Sequence, residues 1–229
     1  MIIDIHNHTY YSDCGKDHPE KLIEEAIKGG IDVFGISDHN YGIDDRKDNY
    51  VNQIRQLGEK YKDKITVLCG IEISSYPYQL PPPDWDCHEF DYALVENLQN
   101  DDCKITDIPE FAKQFKCKIG IAHTDLFYYC EKRGLDTLKF FKSLAEANIF
   151  WEMNMSYDSI HSWREHTYML EFFKNEEQQK LVRESGIKLS VGFDGHRIED
   201  YDPRRIHYAC KRIEELGLKL VDIKQKTSG

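Results

Sequence analysis

Short apolar runs alternate along the chain with longer charged segments of helical period. The run "IIDI" is followed by the amphipathic segment "PEKLIEEAIKGG", then by "IDVFGIS", a charged stretch and "ITVLCGIEI". The alternation continues through "FDYALV", "CKIGIAH", "IFWEMN" and "IKLSVGF", each followed by a segment with helical spacing. Strands that alternate with helices are typical of parallel sheets. The pattern therefore predicts an α/β protein whose seven strands form a parallel sheet or barrel.

The first helical segment carries signals for both of its ends. Asp17 is expected to cap its start, Pro19 suits its first turn, and Gly29 with Gly30 is expected to end it. No linker rich in Ser, Gly or Pro divides the 229 residues, and 40% of them are hydrophobic. We therefore expect one domain over residues 1–229.

The net charge of −11 disfavours nonspecific attraction to nucleic acid or to anionic lipid. No apolar run approaches the roughly 18 residues of a membrane helix, and the start of the chain does not resemble a signal peptide. The seven cysteines form no CxxC pair and are an odd number, so we expect them to be reduced and the protein to be cytoplasmic. Cys14 lies close to two histidines and is the cysteine of most interest.

Histidine and carboxylate residues follow the predicted strands rather than being scattered. Five strands carry them at the carboxyl end, where parallel α/β barrels assemble their active sites. They are His6 and His8, Asp38 and His39, Glu72, His123, and Asp194 with His196. Glu152 in "IFWEMN" would add a sixth strand. The distribution predicts a polar site at one rim.

The spacing of these residues fits metal binding. Residues two apart in an extended strand share a face, so His6 and His8 can hold one ion. Imidazole with carboxylate suits zinc, iron or manganese, and a bridging carboxylate such as Glu72 could hold two ions. One histidine pair alone would be weak support, because a lone histidine is usually a surface or core residue. Five clusters on successive strand ends favour a metal centre.

In order and spacing, "DIHNHT" with Asp13 five positions after His8, "GISDHN", "GIEI", "IAHTD" and "GFDGHR" resemble the PHP (polymerase and histidinol phosphatase) family. The resemblance spans residues 2–197. It implies a distorted (β/α)7 barrel with two or three divalent ions, zinc, manganese or iron, at the carboxyl ends of the strands. It also implies hydrolysis of phosphate esters.

The resemblance assigns the ligands in three groups: His6, His8, Glu72 and Asp194 at one ion, Glu72 and His123 at a second, and Asp13, His39 and His196 at a third. One position departs from the family pattern. Family phosphatases tend to have a histidine at the end of the fourth strand, where "DYALVENL" has Leu98. Leucine cannot bind a metal, so the second site lacks a ligand unless Asn97 or His88 reaches it. His88 precedes the strand, which disfavours it.

Phosphate recognition is expected to involve arginine. Arg197, directly after His196, is the best candidate for a bidentate phosphate contact. Arg164 lies in the connection after the sixth strand, which is either a solvated loop or a lid over the substrate. The leaving alkoxide also needs a proton, for which Asp194, a loop histidine and a bound water are alternatives.

The expected function is metal-dependent hydrolysis of a small phosphomonoester, as in histidinol phosphatases. A phosphodiesterase remains an alternative, because few cationic residues lie near the motifs. A noncatalytic relative that binds metal or phosphate is a second alternative, and Leu98 is its only support. The expected partner is a small phosphorylated substrate, without nucleic acid or membrane, and the sequence does not indicate an oligomeric state.

Overall fold

The computed structural model describes residues 1–82, 85, 87–157 and 167–225. Its seven strands form one sheet in sequence order, and every neighbouring pair is parallel. They are β1 (Ile3–Asp4), β2 (Val33–Ile36), β3 (Thr66–Ser74), β4 (Tyr92–Glu96), β5 (Lys118–Ile121), β6 (Phe150–Asn154) and β7 (Leu189–Gly192). The predicted α/β architecture is confirmed.

The first and last strands meet, which makes the sheet a nearly closed barrel. Ile5 N donates to Val191 O at 3.0 Å, and Asp194 N donates to His6 O at 2.7 Å. A parallel bridge between Asn7 and Gly195 extends this pairing beyond the strands. The seven-stranded barrel implied by the family resemblance is thus present, and its closure brings the residues after β1 next to those after β7.

Helices connect most of the strands. They are α1 (Pro19–Lys28), α2 (Asn40–Ile43), α3 (Lys47–Tyr61), α4 (Ile108–Ala112), α5 (Leu126–Arg133), α6 (Thr137–Glu146), α7 (Tyr168–Phe172), α8 (Glu176–Ser185) and α9 (Pro203–Glu215). Among the described residues, no helix is long and apolar enough to cross a membrane.

The helix starts are fixed by side-chain caps. Asp125 and Asp136 accept backbone hydrogen bonds at the first turns of α5 and α6. The sequence prediction for α1 was wrong in one respect, because His18 rather than Asp17 is its N-cap and accepts from Glu20 N at 3.2 Å. Asp17 instead accepts from Ile198 N at 2.9 Å, which ties the start of α1 to the loop after β7.

Strand register places the ends of β3 and β4 side by side. Glu72 pairs with Leu94 and Ser74 pairs with Glu96. Between β6 and β7 the packing requires a glycine: a Cβ at Gly192 would lie 2.1 Å from Glu152 Oε1 and 2.4 Å from His6 Cβ. Because Gly192 has no side chain, Glu152 and His6 fit inside the barrel near the carboxyl ends of its strands.

Candidate metal centre

Four donor groups from three parts of the barrel lie close together. His6 Nε2 lies 3.2 Å from His8 Nε2, 3.1 Å from Glu72 Oε1 and 3.6 Å from Asp194 Oδ1. His8 Nε2 lies 3.4 Å from Glu72 Oε2 and 3.3 Å from Asp194 Oδ1. Ligands about 2.0–2.1 Å from a tetrahedral zinc ion are separated by about 3.3 Å. His6, His8 and Asp194 therefore form a three-ligand group with the spacing expected around one metal ion, and Glu72 contacts each of the two rings through a different oxygen.

Glu152 orients His6 within this group. Its Oε1 atom lies 2.8 Å from His6 Nδ1, and its Oε2 atom accepts from His123 N at 2.8 Å. Glu152 is fully buried. A carboxylate that holds one ring nitrogen of a histidine leaves the other nitrogen directed at the metal. The sixth-strand carboxylate thus supports the ligands rather than joining them.

A second group forms around the same oxygen of Glu72 that contacts His6. His123 Nε2 lies 3.1 Å from Glu72 Oε1 and 3.9 Å from Glu96 Oε2. The other oxygen of Glu96 lies 3.5 Å from His39 Nδ1. Glu96, the last residue of β4, therefore brings a carboxylate to the place where the family pattern predicts a histidine.

The structure also accounts for the residues that were considered for this position. Leu98 is fully buried in the hydrophobic core. His88 is exposed and lies before β4, whereas Asn97 lines the cavity over the cluster. Leu98 itself offers no ligand, and the carboxylate that β4 brings near His39 and His123 belongs to Glu96, two residues earlier.

The outer side of the cluster contains Cys14 rather than Asp13. One donor atom from each of His8, Cys14 and His196 lies within 4.8 Å of the others. Asp13 is exposed, and it belongs to none of the close donor groups formed by the described residues. Adjacent residues in this loop direct their side chains to different sides, so the prediction of Asp13 is not supported by its position.

Two buried atoms support occupation by cations. Glu72 Oε2 and His39 Nδ1 lie 2.9 Å apart, yet neither has a hydrogen-bond partner of suitable geometry among the described residues. Buried polar atoms are normally hydrogen-bonded or bound to an ion. Together with the tetrahedral distances, these two atoms show that the donor set fits divalent metals.

The charges in the cluster are strongly coupled. Burial raises the pKa of Asp194 and Glu72, but the surrounding histidines, His6 foremost, together outweigh burial, so both pKa values lie well below their usual range. Burial lowers the pKa of His8 to about 3 and keeps that ring neutral. Burial also opposes protonation of His123, but Glu72 outweighs it and raises the pKa to about 9. The carboxylates are thus ionised, as metal binding requires.

Residues around the ligands hold the loops in place. The carboxylate of Asp38 accepts from Thr9 N at 2.8 Å and from Ser12 N at 3.0 Å, so it anchors the loop after β1 instead of facing the ligands. Asp194 adopts a φ of 56°, a left-handed conformation that is uncommon outside glycine. Such conformations concentrate at functional sites, where the surrounding contacts maintain them.

A cavity of about 280 Å³ opens over the cluster. Tyr41 stacks on His39 with ring centroids 4.8 Å apart, and Tyr76 stacks on Tyr78 at 5.5 Å. No lysine or arginine is found among the described residues that line this cavity. A larger cavity of about 740 Å³ lies beside the amino end of β1 and α9, at a distance from the donor groups.

The two predicted phosphate-binding arginines are not brought to this cavity by the described structure. Arg197 is 51% exposed in its side chain and lies 3.4 Å from Glu199. It points away because it follows His196 in an extended segment, where successive side chains alternate in direction. Arg164 lies outside the described residues.

Sequence reasoning found His6, His8, His39, Glu72, His123, Asp194 and His196, and the structure brings all of them together. It did not select Glu96, which directly follows the predicted strand "FDYALV" and lies near His39 and His123. It noted Cys14 without giving it a role. Of the tyrosines at the cavity, Tyr76 and Tyr78 lie in a loop and Tyr41 lies in the short helix α2, so none had a periodic signal.

The fold and the site define a class of protein: a parallel (β/α)7 barrel with a cluster of metal-ligating side chains at the carboxyl ends of its strands. Residues 4–217 match the PHP domain, and the chain belongs to that family. A comparison with curated proteins found no match by sequence.

Several solved structures have a similar fold. One is a histidinol phosphate phosphatase from Lactococcus lactis in complex with zinc, L-histidinol and phosphate, with a TM-score of 0.64, 18% identity, and coverage of 97% of this chain and 98% of that one. A putative histidinol phosphatase from Listeria monocytogenes has a TM-score of 0.59, 13% identity, and coverage of 86% and 96%. A chain of archaeal ribonuclease P with mature tRNA has a TM-score of 0.54, 15% identity, and coverage of 99% and 100%.

Family membership and the donor cluster together indicate a metal-dependent phosphoesterase. At these identities the solved structures support the fold alone.

Proposed function

We propose that this protein hydrolyses a small phosphomonoester at the metal centre, with an amino-alcohol phosphate such as histidinol phosphate as the first substrate to test. The observation that carries the proposal is the group of His6, His8 and Asp194, whose donor atoms lie 3.2–3.6 Å apart, with Glu72 oxygens 3.1 Å from His6 and 3.4 Å from His8. The Lactococcus protein of similar fold, which binds zinc, L-histidinol and phosphate, supports the choice of substrate.

The donor groups would hold two ions. His6, His8 and Asp194 would hold one, and His123 with Glu72 and Glu96 would hold the other. Divalent ions in such a pair supply an activated water and stabilise the charge that develops on the phosphoryl oxygens. The protein supplies ionised carboxylates, a neutral His8 ring and, through Glu152, a fixed orientation for His6.

The charge of the cavity makes phosphate binding depend on the metals. Glu72, Glu96 and Asp194 all line it, whereas no lysine or arginine does so among the described residues. A phosphate anion would be repelled by these carboxylates if divalent cations did not outweigh them. The volume of about 280 Å³ also favours a small ester over a polymer.

The role of Asp194 follows from its ionisation. Burial raises the pKa of this carboxyl, but His6 and His196 outweigh it and hold the pKa well below its usual value. An ionised carboxylate accepts protons and binds metals, and it has no proton to give to a leaving alkoxide. We therefore propose Asp194 as a metal ligand and not as the general acid.

The test is hydrolysis of a panel of phosphomonoesters, including histidinol phosphate, after reconstitution with zinc, manganese or iron. The double variant His6→Ala/His8→Ala should lose activity and metal, and circular dichroism should show that it remains folded, because both rings are buried as ligands rather than in the apolar core. His207→Ala is a matched control, since His207 lies on α9 and contacts Gly29 O at 2.8 Å. Normal turnover by the double variant would refute the site.

A phosphodiesterase is a second candidate, favoured by one observation: the cavity lining among described residues offers no lysine or arginine to a doubly charged terminal phosphate. Comparing p-nitrophenyl phosphate with bis-p-nitrophenyl phosphate under each metal separates the two activities. The noncatalytic alternative rests on Leu98, and Glu96, which lies 3.9 Å from His123, is the donor that we propose in its place.

A further inference from the structure

We infer that Cys14 binds a metal ion through its thiolate at the outer end of the centre, together with His196, and that this position selects zinc or another thiophilic ion over manganese. The inference rests on the metal centre of the proposed function but not on the identity of the substrate. It replaces Asp13, an oxygen donor expected from the family pattern, with a sulfur donor.

Cys14 is not an isolated cysteine. Its sulfur, a ring nitrogen of His8 and a ring nitrogen of His196 lie within 4.8 Å of one another. The thiol also lies beside the ring of His39. Cys14 is partly buried and lines the same cavity as the other donors. A sulfur and several imidazoles converge here, and the unpartnered Nδ1 atom of His39 lies in the same cluster.

The backbone fixes Cys14 in this place. Gly15 is required next to it, because a Cβ there would lie 2.2 Å from Thr9 O. Lys16 N donates to His196 O at 3.1 Å, and Tyr10 N donates to Asp17 O at 3.0 Å. The loop after β1 is therefore closed on itself and joined to the loop after β7. This connection holds the Cys14 side chain against His196.

The donor types at the two ends of the centre differ in chemical softness. Glu72, Glu96 and His123 offer mainly oxygen, which suits manganese or iron. Cys14 with imidazole offers sulfur and nitrogen, the donor set that zinc, cobalt and cadmium prefer. Catalytic zinc sites usually combine three protein ligands with one open position. Because the His8 ring already belongs to the group of His6 and Asp194, the third ligand beside Cys14 and His196 would be the neighbouring His39 ring. The outer position should therefore retain zinc when manganese occupies the other positions.

Titration of the metal-free protein with cobalt(II) tests the inference without measuring turnover. Thiolate coordination produces an intense near-ultraviolet charge-transfer band, whereas visible cobalt bands report coordination by any donors. The natural protein should show both. Cys14→Ser should lose the ultraviolet band, retain the visible bands and lower zinc affinity at one site by at least about 10- to 100-fold. Cys117→Ser is the matched control, because Cys117 is also partly buried but does not line the cavity.

The outcomes separate this inference from the proposed function. Visible bands without the ultraviolet band in the natural protein, or an ultraviolet band that persists in Cys14→Ser, would overturn thiolate ligation and leave the phosphoesterase proposal intact. If both bands are present but no substrate is hydrolysed, the phosphoesterase proposal would be refuted and thiolate ligation by Cys14 would be retained. If Cys14→Ser does not fold, zinc should still slow alkylation of Cys14 in the natural protein, as mapped by mass spectrometry. Equal alkylation with and without zinc would overturn the inference.

Discussion

Replacing Glu96 by glutamine tests whether β4 supplies a metal ligand through this residue. The change keeps the size and one oxygen of the side chain but removes its negative charge. Glu96 is 7% exposed, and its two oxygens lie 3.5 Å from His39 Nδ1 and 3.9 Å from His123 Nε2. The substitution is therefore made within the cluster, where solvent screens charges weakly.

The expected loss of metal affinity can be estimated from the separation of about 4 Å between Glu96 and the nearby donors. Two unit charges about 4 Å apart interact by about 4 kcal/mol at an effective dielectric constant of about 20. That energy corresponds to a change on the order of 1,000-fold in an equilibrium constant. Even changes in residues that only support a ligand typically weaken metal binding by about 10- to 100-fold. We therefore expect Glu96→Gln to lower the affinity for one ion by at least about 100-fold.

The measurement is elemental analysis after dialysis against metal buffers, which gives the number of ions and their affinities. Glu96→Gln should hold one ion fewer than the natural protein and retain the ion bound by His6 and His8. Glu89→Gln is the control for loss of a negative charge elsewhere, because the half-buried Glu89 carboxylate pairs with Lys47 at 3.0 Å in the natural protein. Unchanged ion number and affinities within about threefold would show that Glu96 is not a ligand.

Leu98→His provides the complementary variant. Histidine at this position was expected from the sequence to restore a missing ligand, but Leu98 is fully buried among apolar residues. Burying an imidazole there should destabilise the protein by about 1–3 kcal/mol. Metal content should not rise. A gain of one ion in Leu98→His would mean that the strand end can rearrange and that Glu96 does not fill the site.

Three further results are expected. Because the pKa of His123 is raised to about 9, this ring is protonated below that pH, so metal affinity should fall as pH decreases and calorimetry at pH 7 should detect proton release on binding. Glu152→Gln should weaken metal binding by about 10- to 100-fold without unfolding the protein, and equal affinity would show that His6 does not depend on it. Arg197→Ala should leave KM within about twofold, because Arg197 faces solvent beside Glu199; a tenfold rise in KM would restore its predicted phosphate contact.

Local periodicity predicted a parallel sheet or barrel and the edge on which the ligands lie, and the family resemblance implied the seven-stranded barrel. Alternating apolar and amphipathic segments define strands and helices, and the end of a parallel strand defines one edge of the sheet. His6, His8 and Glu72 were recognisable for this reason alone. What the pattern could not fix was the direction of side chains in the loops after the strands, where no period applies.

The two positions where the sequence reasoning and the structure differ illustrate this limit. Asp13 and Cys14 are neighbours in a closed loop, and only its backbone hydrogen bonds determine which side chain faces His196. Glu96 and Leu98 are two residues apart, but the chain leaves the strand at Asn97 with a φ of 63°, so the alternation that would place them on one face is broken. A comparison of motifs aligns residues by position and does not detect such a turn.

Both differences alter the donor chemistry without removing a donor. A carboxylate at Glu96 adds negative charge where a histidine would be neutral, and a thiolate at Cys14 adds sulfur where a carboxylate would provide oxygen. With Glu72 and Asp194, three carboxyl groups then face a cavity whose described lining has no lysine or arginine. An anionic substrate is bound in such a cavity only if the ions contribute more positive charge than the ligands remove. The same carboxylates that hold the metals therefore make phosphate recognition a property of the loaded centre, and not of the protein surface.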